Sequence, residues 1–202
     1  MKNKLSLVII LLLSTTIYAQ KMKVAEGNFD FFKGQSEINV EFDYSNLTIL
    51  KDELTNDEYV KAHSEDLEKK GKGKGKAWKK SWEASKELIY APKFLELMNR
   101  DLYEDEGISF EEDLTEAKYT LILEVVWIYP GWNAAVMRQP AKLTTVIKFV
   151  ETANRDNVLL KITSENAPGN RFGGTFSNED RIGEGFAKTG KSLSKLIMKK
   201  AF

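Results

Sequence analysis

The sequence predicts an α+β domain: a mostly antiparallel sheet of four to five strands with helices packed on one face. Three observations carry this reading. Residues 37–44 alternate apolar and polar side chains with period two. Residues 76–101 repeat theirs at helical spacing, and three strand-like stretches succeed one another between residues 119 and 163. Strands joined by short turns, with helices arriving in a block, belong to the α+β class.

The chain opens on a predicted secretory leader, residues 1–19. Lys2 and Lys4 supply the positive start, Leu5 to Leu13 the apolar stretch, and Ile17-Tyr18-Ala19 the cleavage site. Residues 20–202 then form one domain of ordinary size. Phe29, Phe31 and Phe32 predict an edge strand ending at Lys33-Gly34. In residues 37–44, Ile38, Val40, Phe42 and Tyr44 fall on one face and Glu37, Asn39, Glu41 and Asp43 on the other. That alternation describes a sheet packed on one side and wet on the other.

Asn56 is placed to cap a helix running to about Lys69, and Gly71, Gly73 and Gly75 break it. Residues 69–76 read as a flexible Lys/Gly-rich segment. A longer helix follows from about Lys76 to Asp101, with Trp78, Trp82, Ser85 and Ile89 on one stripe and Phe94, Leu95, Met98 and Leu102 continuing it. Ala91-Pro92 predicts a kink within it, because proline lacks the amide hydrogen of a helical bond. Tyr119 to Tyr129 is apolar on both faces and predicts a central strand. Lys142 to Val150 alternates again, and Asn157 to Thr163 returns after the turn at residues 154–157. Glycine-rich residues 168–174 lead to a last helix carrying Ile182, Phe186, Leu193, Leu196 and Ile197.

Composition narrows the chemistry. There is no cysteine, which excludes disulfides, thiol catalysis, thiolate metal sites and a lipid-bearing cysteine after the leader. Lysine plus arginine equal aspartate plus glutamate, 30 of each, so no overall field draws the chain to nucleic acid. After the leader no apolar run reaches the ~20 residues of a membrane span. With a single histidine, His63, a three-histidine zinc site cannot be built and a catalytic triad has few parts. No cofactor and no metal are expected.

Residues 185–192 satisfy the phosphate-loop pattern through Gly185, Gly190, Lys191 and Ser192. The chemistry requires a buried strand before the glycine loop, and the preceding stretch is polar. Ile182, Phe186 and Leu193 pass through the motif at helical spacing, so nucleotide binding is rejected. Lys69 to Lys80 holds seven lysines among glycines beside Trp78; Lys72, Lys74 and Lys76 are its candidate contacts for a polyanion. Trp127 to Trp132 leaves a strand and enters an apolar loop that lasts to Gln139-Pro140. Trp127, Tyr129, Trp132, Val136 and Met137 make it the best candidate binding surface, for a protein partner or a sugar ring. Glu104 to Glu106 and Glu111 to Asp113 read as solvated acids, since a calcium loop there would put Leu102 in a ligand position.

Residues 32–35, 38–45, 92–94 and 149–154 resemble a group of small exported bacterial proteins of unknown function. The end of the chain is more distantly similar to periplasmic accessory proteins of the curli-secretion and penicillin-binding-protein-activator kind, in which strands joined by a short turn precede a closing amphipathic helix. The resemblance implies an exported protein and supplies no catalytic residues. The functional expectation is a non-catalytic, envelope-associated binding or assembly protein with a protein or glycan partner. The alternatives are a glycan hydrolase working through two carboxylates and a carrier of a small apolar ligand.

Overall fold

The computed structural model describes residues 20–134, 137–169 and 177–202, so the leader lies outside the described residues. Strand β1 spans Lys21–Gly27, and β2 Glu37–Asp43. Two short strands follow, β3 (Thr48–Ile49) and β4 (Leu54–Thr55), and then helix α1 (Asn56–Lys70). Helix α2 (Lys74–Ser85) continues through a π turn (Lys86–Tyr90) into α3 (Ala91–Glu106). Strands β5 (Ser109–Glu111), β6 (Tyr119–Tyr129), β7 (Trp132–Ala134), β8 (Met137–Gln139), β9 (Ala141–Glu151) and β10 (Asn154–Gly169) precede the closing helix α4 (Asn178–Ala201).

The sheet corrects the predicted architecture. Among the described residues it has eight strands, ordered β1-β10-β9-β6-β2-β5, with β3 attached to β6 and β4 to β3. It is mixed rather than mostly antiparallel. β2 runs parallel to both β5 and β6, and β3 runs parallel to β6. The reason lies in the connection: a whole helical block separates β2 from β5 and β6, and such a crossover returns the chain in the same direction. The short turns between β6, β9 and β10 give the antiparallel half.

β1 was not anticipated. It pairs antiparallel with β10 at the sheet edge, where Met22 and Val24 pack against the core while Lys21 and Lys23 stay exposed. The expected strand at Phe29–Phe32 is instead a 3₁₀ turn over Asp30–Phe32, which turns Phe31 and Phe32 onto Phe149, at ring separations of 5.5 and 5.0 Å. Asn39, placed by alternation on the wet face, is buried. Its amide oxygen accepts the Leu114 amide at 3.0 Å and its nitrogen donates to Thr120 Oγ1 at 3.3 Å. Asparagine is tolerated there because its polar atoms are paired.

Helix α1 starts one residue earlier than expected. Thr55 caps it, and Glu58 returns the bond to the Thr55 amide, a reciprocal capping box. In the long helical rod the irregularity sits just before Pro92. The π turn widens the backbone where the missing proline amide could not bond, and the rod continues to Glu106. α4 is likewise capped by Ser177 with Asp180. It packs on β9, β10 and α3, and the Tyr90 and Phe186 rings stack 4.8 Å apart. On β9 the buried side chains Leu143, Thr145, Ile147 and Phe149 face this helical layer, while Lys142, Thr144, Val146 and Lys148 face the open side. No helix among the described residues is long and apolar enough to cross a membrane.

Candidate functional site

Strand β6 begins as a regular alternating strand. Tyr119, Leu121, Leu123 and Val125 are buried, and period two would send Trp127 and Tyr129 into the core after them. A β-bulge at Val126 prevents this. Val125 pairs with Thr145, but Trp127 pairs with Thr144 and Ile128 with Leu143, so one extra residue is absorbed on β6. The bulge hands the core position to Ile128 and turns Trp127 and Tyr129 to the open face, the re-aiming that such bulges perform.

Beyond it, Gly131 holds a left-handed φ of 71°, and a Cβ there would stand 2.4 Å from the Gln139 carbonyl oxygen. Only glycine fits both demands. The chain then returns as the β7–β8 hairpin, with Trp132 opposite Gln139 and Ala134 opposite Met137. The segment read from sequence as a loop is therefore a two-stranded arm.

The arm and the end of β6 build an aromatic ledge. Trp127 Nε1 donates to the Leu50 carbonyl at 2.7 Å. Tyr129 Oη and Trp132 Nε1 both donate to Gln139 Oε1, each at 3.0 Å. The Trp127 and Tyr129 rings lie 6.2 Å apart with planes 16° from parallel. Trp132 is 42% exposed and Met137 62% exposed. Val136 lies outside the described residues.

A polar row flanks the ledge on the same face. Glu124 Oε1 accepts from Asn46 Nδ2 at 2.9 Å, and Glu124 Oε2 from Lys148 Nζ at 3.0 Å. The Asn46 amide, with Lys148, holds the Glu124 carboxyl below its ordinary range against the opposing effect of burial. Further along, Arg155 grips Glu41 through two bonds of 2.7 and 2.8 Å and lowers its proton affinity likewise.

The predicted lysines stand apart from the ledge. Lys72 lies in the turn between α1 and α2, and Lys74 and Lys76 open α2; all three are exposed, and no hydrogen bond or ring contact joins them to the aromatic residues. The amides at the start of α2 are already occupied. Gly73 and Gly75 donate to the Glu68 carboxylate at 2.6 and 3.0 Å, which pulls its proton affinity down. His63 packs between Tyr59 and Trp78 at ring separations of 5.5 and 4.4 Å, and burial lowers its pKa.

The phosphate-loop match falls in the middle of α4. A Cβ at Gly190 would stand 2.4 Å from the Phe94 carbonyl oxygen, and one at Gly185 would stand 3.1 Å from Leu143 Cβ. The two glycines let α4 approach α3 and β9. Ser192 Oγ donates to Gln20 Oε1 at 2.6 Å, and Lys191 is half-buried. The amides a phosphate would need sit within the helix.

Sequence reasoning missed Gln139 as the clamp, Leu50 as the anchor of Trp127, and Asn46, Glu124 and Lys148 as the flanking row. None carries a local signal, since each acts across strands. Among the described residues, clefts open elsewhere. One of about 480 Å³ lies beside Tyr44–Thr48 and Asn56, one of about 320 Å³ beside Ala77–Ile89, and one of about 510 Å³ between Thr115–Lys118 and Glu151–Ala153.

No protein-family model matches the sequence, and no curated protein matches it either. The predicted resemblances therefore find no sequence relative. Solved structures offer distant neighbours. A PelC dodecamer from Paraburkholderia phytofirmans is 9% identical over 86% of this chain and 96% of its own, with a TM-score of 0.38. A neuraminyllactose-binding hemagglutinin homolog from Helicobacter pylori is 16% identical over 83% and 93%, with a TM-score of 0.28. Likenesses this distant say nothing about chemistry.

Proposed function

We propose that the protein is an exported, non-catalytic binding protein that contacts a component of the bacterial cell envelope through the aromatic ledge and its hairpin arm. The observation that carries this reading is the bulge at Val126. It takes two large aromatic side chains out of the core and holds them on an open sheet face beside the exposed Trp132 and Met137. Trp127 and Tyr129 stay half-buried there, and leaving large apolar side chains such as Trp132 and Met137 in water forgoes up to roughly 1.5–3 kcal/mol each relative to full burial. A fold that does so at a glycine-hinged arm has a contact to make. Export rests on the leader-like residues 1–19.

Co-sedimentation of the purified protein with a washed bacterial envelope fraction tests the reading. The double variant Trp132→Ala/Met137→Asp is expected to stay in the supernatant while keeping the parent's circular dichroism and melting temperature. The triple variant Lys72→Ser/Lys74→Ser/Lys76→Ser is expected to pellet as the parent does. If the double variant pellets normally, the ledge is not the contact surface.

A further inference from the structure

The ledge carries information about the kind of molecule it meets. Each of its three rings is held by its polar edge: Trp127 Nε1 at the Leu50 carbonyl, and Tyr129 Oη and Trp132 Nε1 at Gln139 Oε1. With those hydrogens committed inside the protein, the rings offer a ligand their apolar π surface. The Trp127 and Tyr129 rings keep near-parallel planes, 16° apart, with centroids 6.2 Å from each other. Rings fixed in this manner are pre-organised, so little freedom is lost on binding.

The flanking row has the complementary character. Asn46 is exposed, and its amide oxygen has no partner among the described residues while its nitrogen holds Glu124. Glu124 and Lys148 neutralise each other at 3.0 Å, so the row presents hydrogen-bonding groups with little net charge.

Resting on the reading of the ledge as the contact surface, we infer that its ligand is a glycan chain of uncharged pyranose rings. A pyranose presents a flat face of C–H groups and a rim of hydroxyls. The face matches Trp127 and Tyr129, and the rim matches Asn46, Glu124 and Lys148. The hydroxyls donate to the Glu124 carboxylate and the Asn46 amide oxygen and accept from the Lys148 ammonium, so both partners' polar groups are satisfied.

Isothermal titration of the purified protein with cellohexaose and with chitohexaose tests this, with tryptophan fluorescence read in parallel. Saturable binding of at least one hexaose is expected, with a change in emission. Tyr129→Ala should weaken it about tenfold or more, while Tyr129→Phe, which keeps the ring, should weaken it by no more than about threefold. Should Tyr129→Ala fail to fold, Trp132→Ala on the exposed arm takes its place with the same expectation. Neither hexaose binding, while envelope co-sedimentation persists and still depends on Trp132 and Met137, overturns the glycan and leaves the contact surface standing. Hexaose binding that survives in the folded Tyr129→Ala protein also overturns it, because the sugar then sits elsewhere.

Discussion

Gly190 lies so close to Phe94 that a Cβ on it would stand 2.4 Å from the Phe94 carbonyl oxygen. The clash is with backbone, which cannot swing aside, so Gly190→Ala must push α4 away from α3. Overpacking of this kind costs about 1–3 kcal/mol, and for a chain of this size each kcal/mol lowers the melting temperature by about 2–4 °C. Lys191→Ala should leave the melting temperature within about 1 °C, and a nucleotide should shift neither protein's melting curve. The check is differential scanning calorimetry with and without ATP and magnesium.

Gln139 brings Tyr129 and Trp132 onto one oxygen, so Gln139→Leu releases both rings at once. Net hydrogen-bond contributions of about 0.5–1.5 kcal/mol predict a modest loss of stability. The larger expected effect is on order: tryptophan emission moves to the red as Trp132 gains water, and envelope co-sedimentation falls. Emission spectra and the sedimentation assay on the same preparation test the pair.

Asn39 spans β2, the segment at Leu114 and β6. Asn39→Leu leaves the Leu114 amide without its partner, a loss of about 1–3 kcal/mol for a buried donor. Asn39→Asp retains the acceptor and should cost less below the aspartate pKa than above it. Chemical denaturation at pH 3.5 and pH 7 separates the two.

Glu124 titrates lower in the fold than its ordinary 4.5, chiefly through the Asn46 amide and then through Lys148. A depressed carboxyl stabilises the fold fully above about pH 4.5 and loses that contribution as the pH falls through its lower folded value. Glu124→Gln should therefore flatten part of the acid limb of the stability–pH profile between about pH 5 and pH 2. Denaturant midpoints across that window provide the measurement.

Much of the fold was legible where one physical requirement dominated. The run from Tyr119 to Tyr129 announced β6 to the residue, because a central strand, here between β9 and β2, carries a long apolar stretch that only Thr120 and Glu124 interrupt. The direction of β2 was hidden, since alternation reports which side chains are buried and says nothing about which neighbour the strand finds. β1 was hidden because Lys21 and Lys23 interrupt a short strand whose apolar half is only Met22 and Val24. At the ledge, the aromatic residues were visible and their arrangement was not. The Val126 bulge is a property of pairing with Thr144 and Thr145, and a lone glutamine gives no sign that two rings will share it.

The four tryptophans provide the most direct test of the ledge as the contact surface. Trp127 and Trp132 lie in it, and Trp78 and Trp82 pack against Tyr59 in the helical layer. Their four indole N–H signals, resolved in a ¹⁵N-labelled sample by proton–nitrogen correlation NMR, are followed as a solubilised envelope fraction is added. Selective shift or broadening of the Trp127 and Trp132 signals, with Trp78 and Trp82 unmoved, is the predicted result. Perturbation confined to Trp78 and Trp82, or none at concentrations where the protein co-sediments, would contradict it.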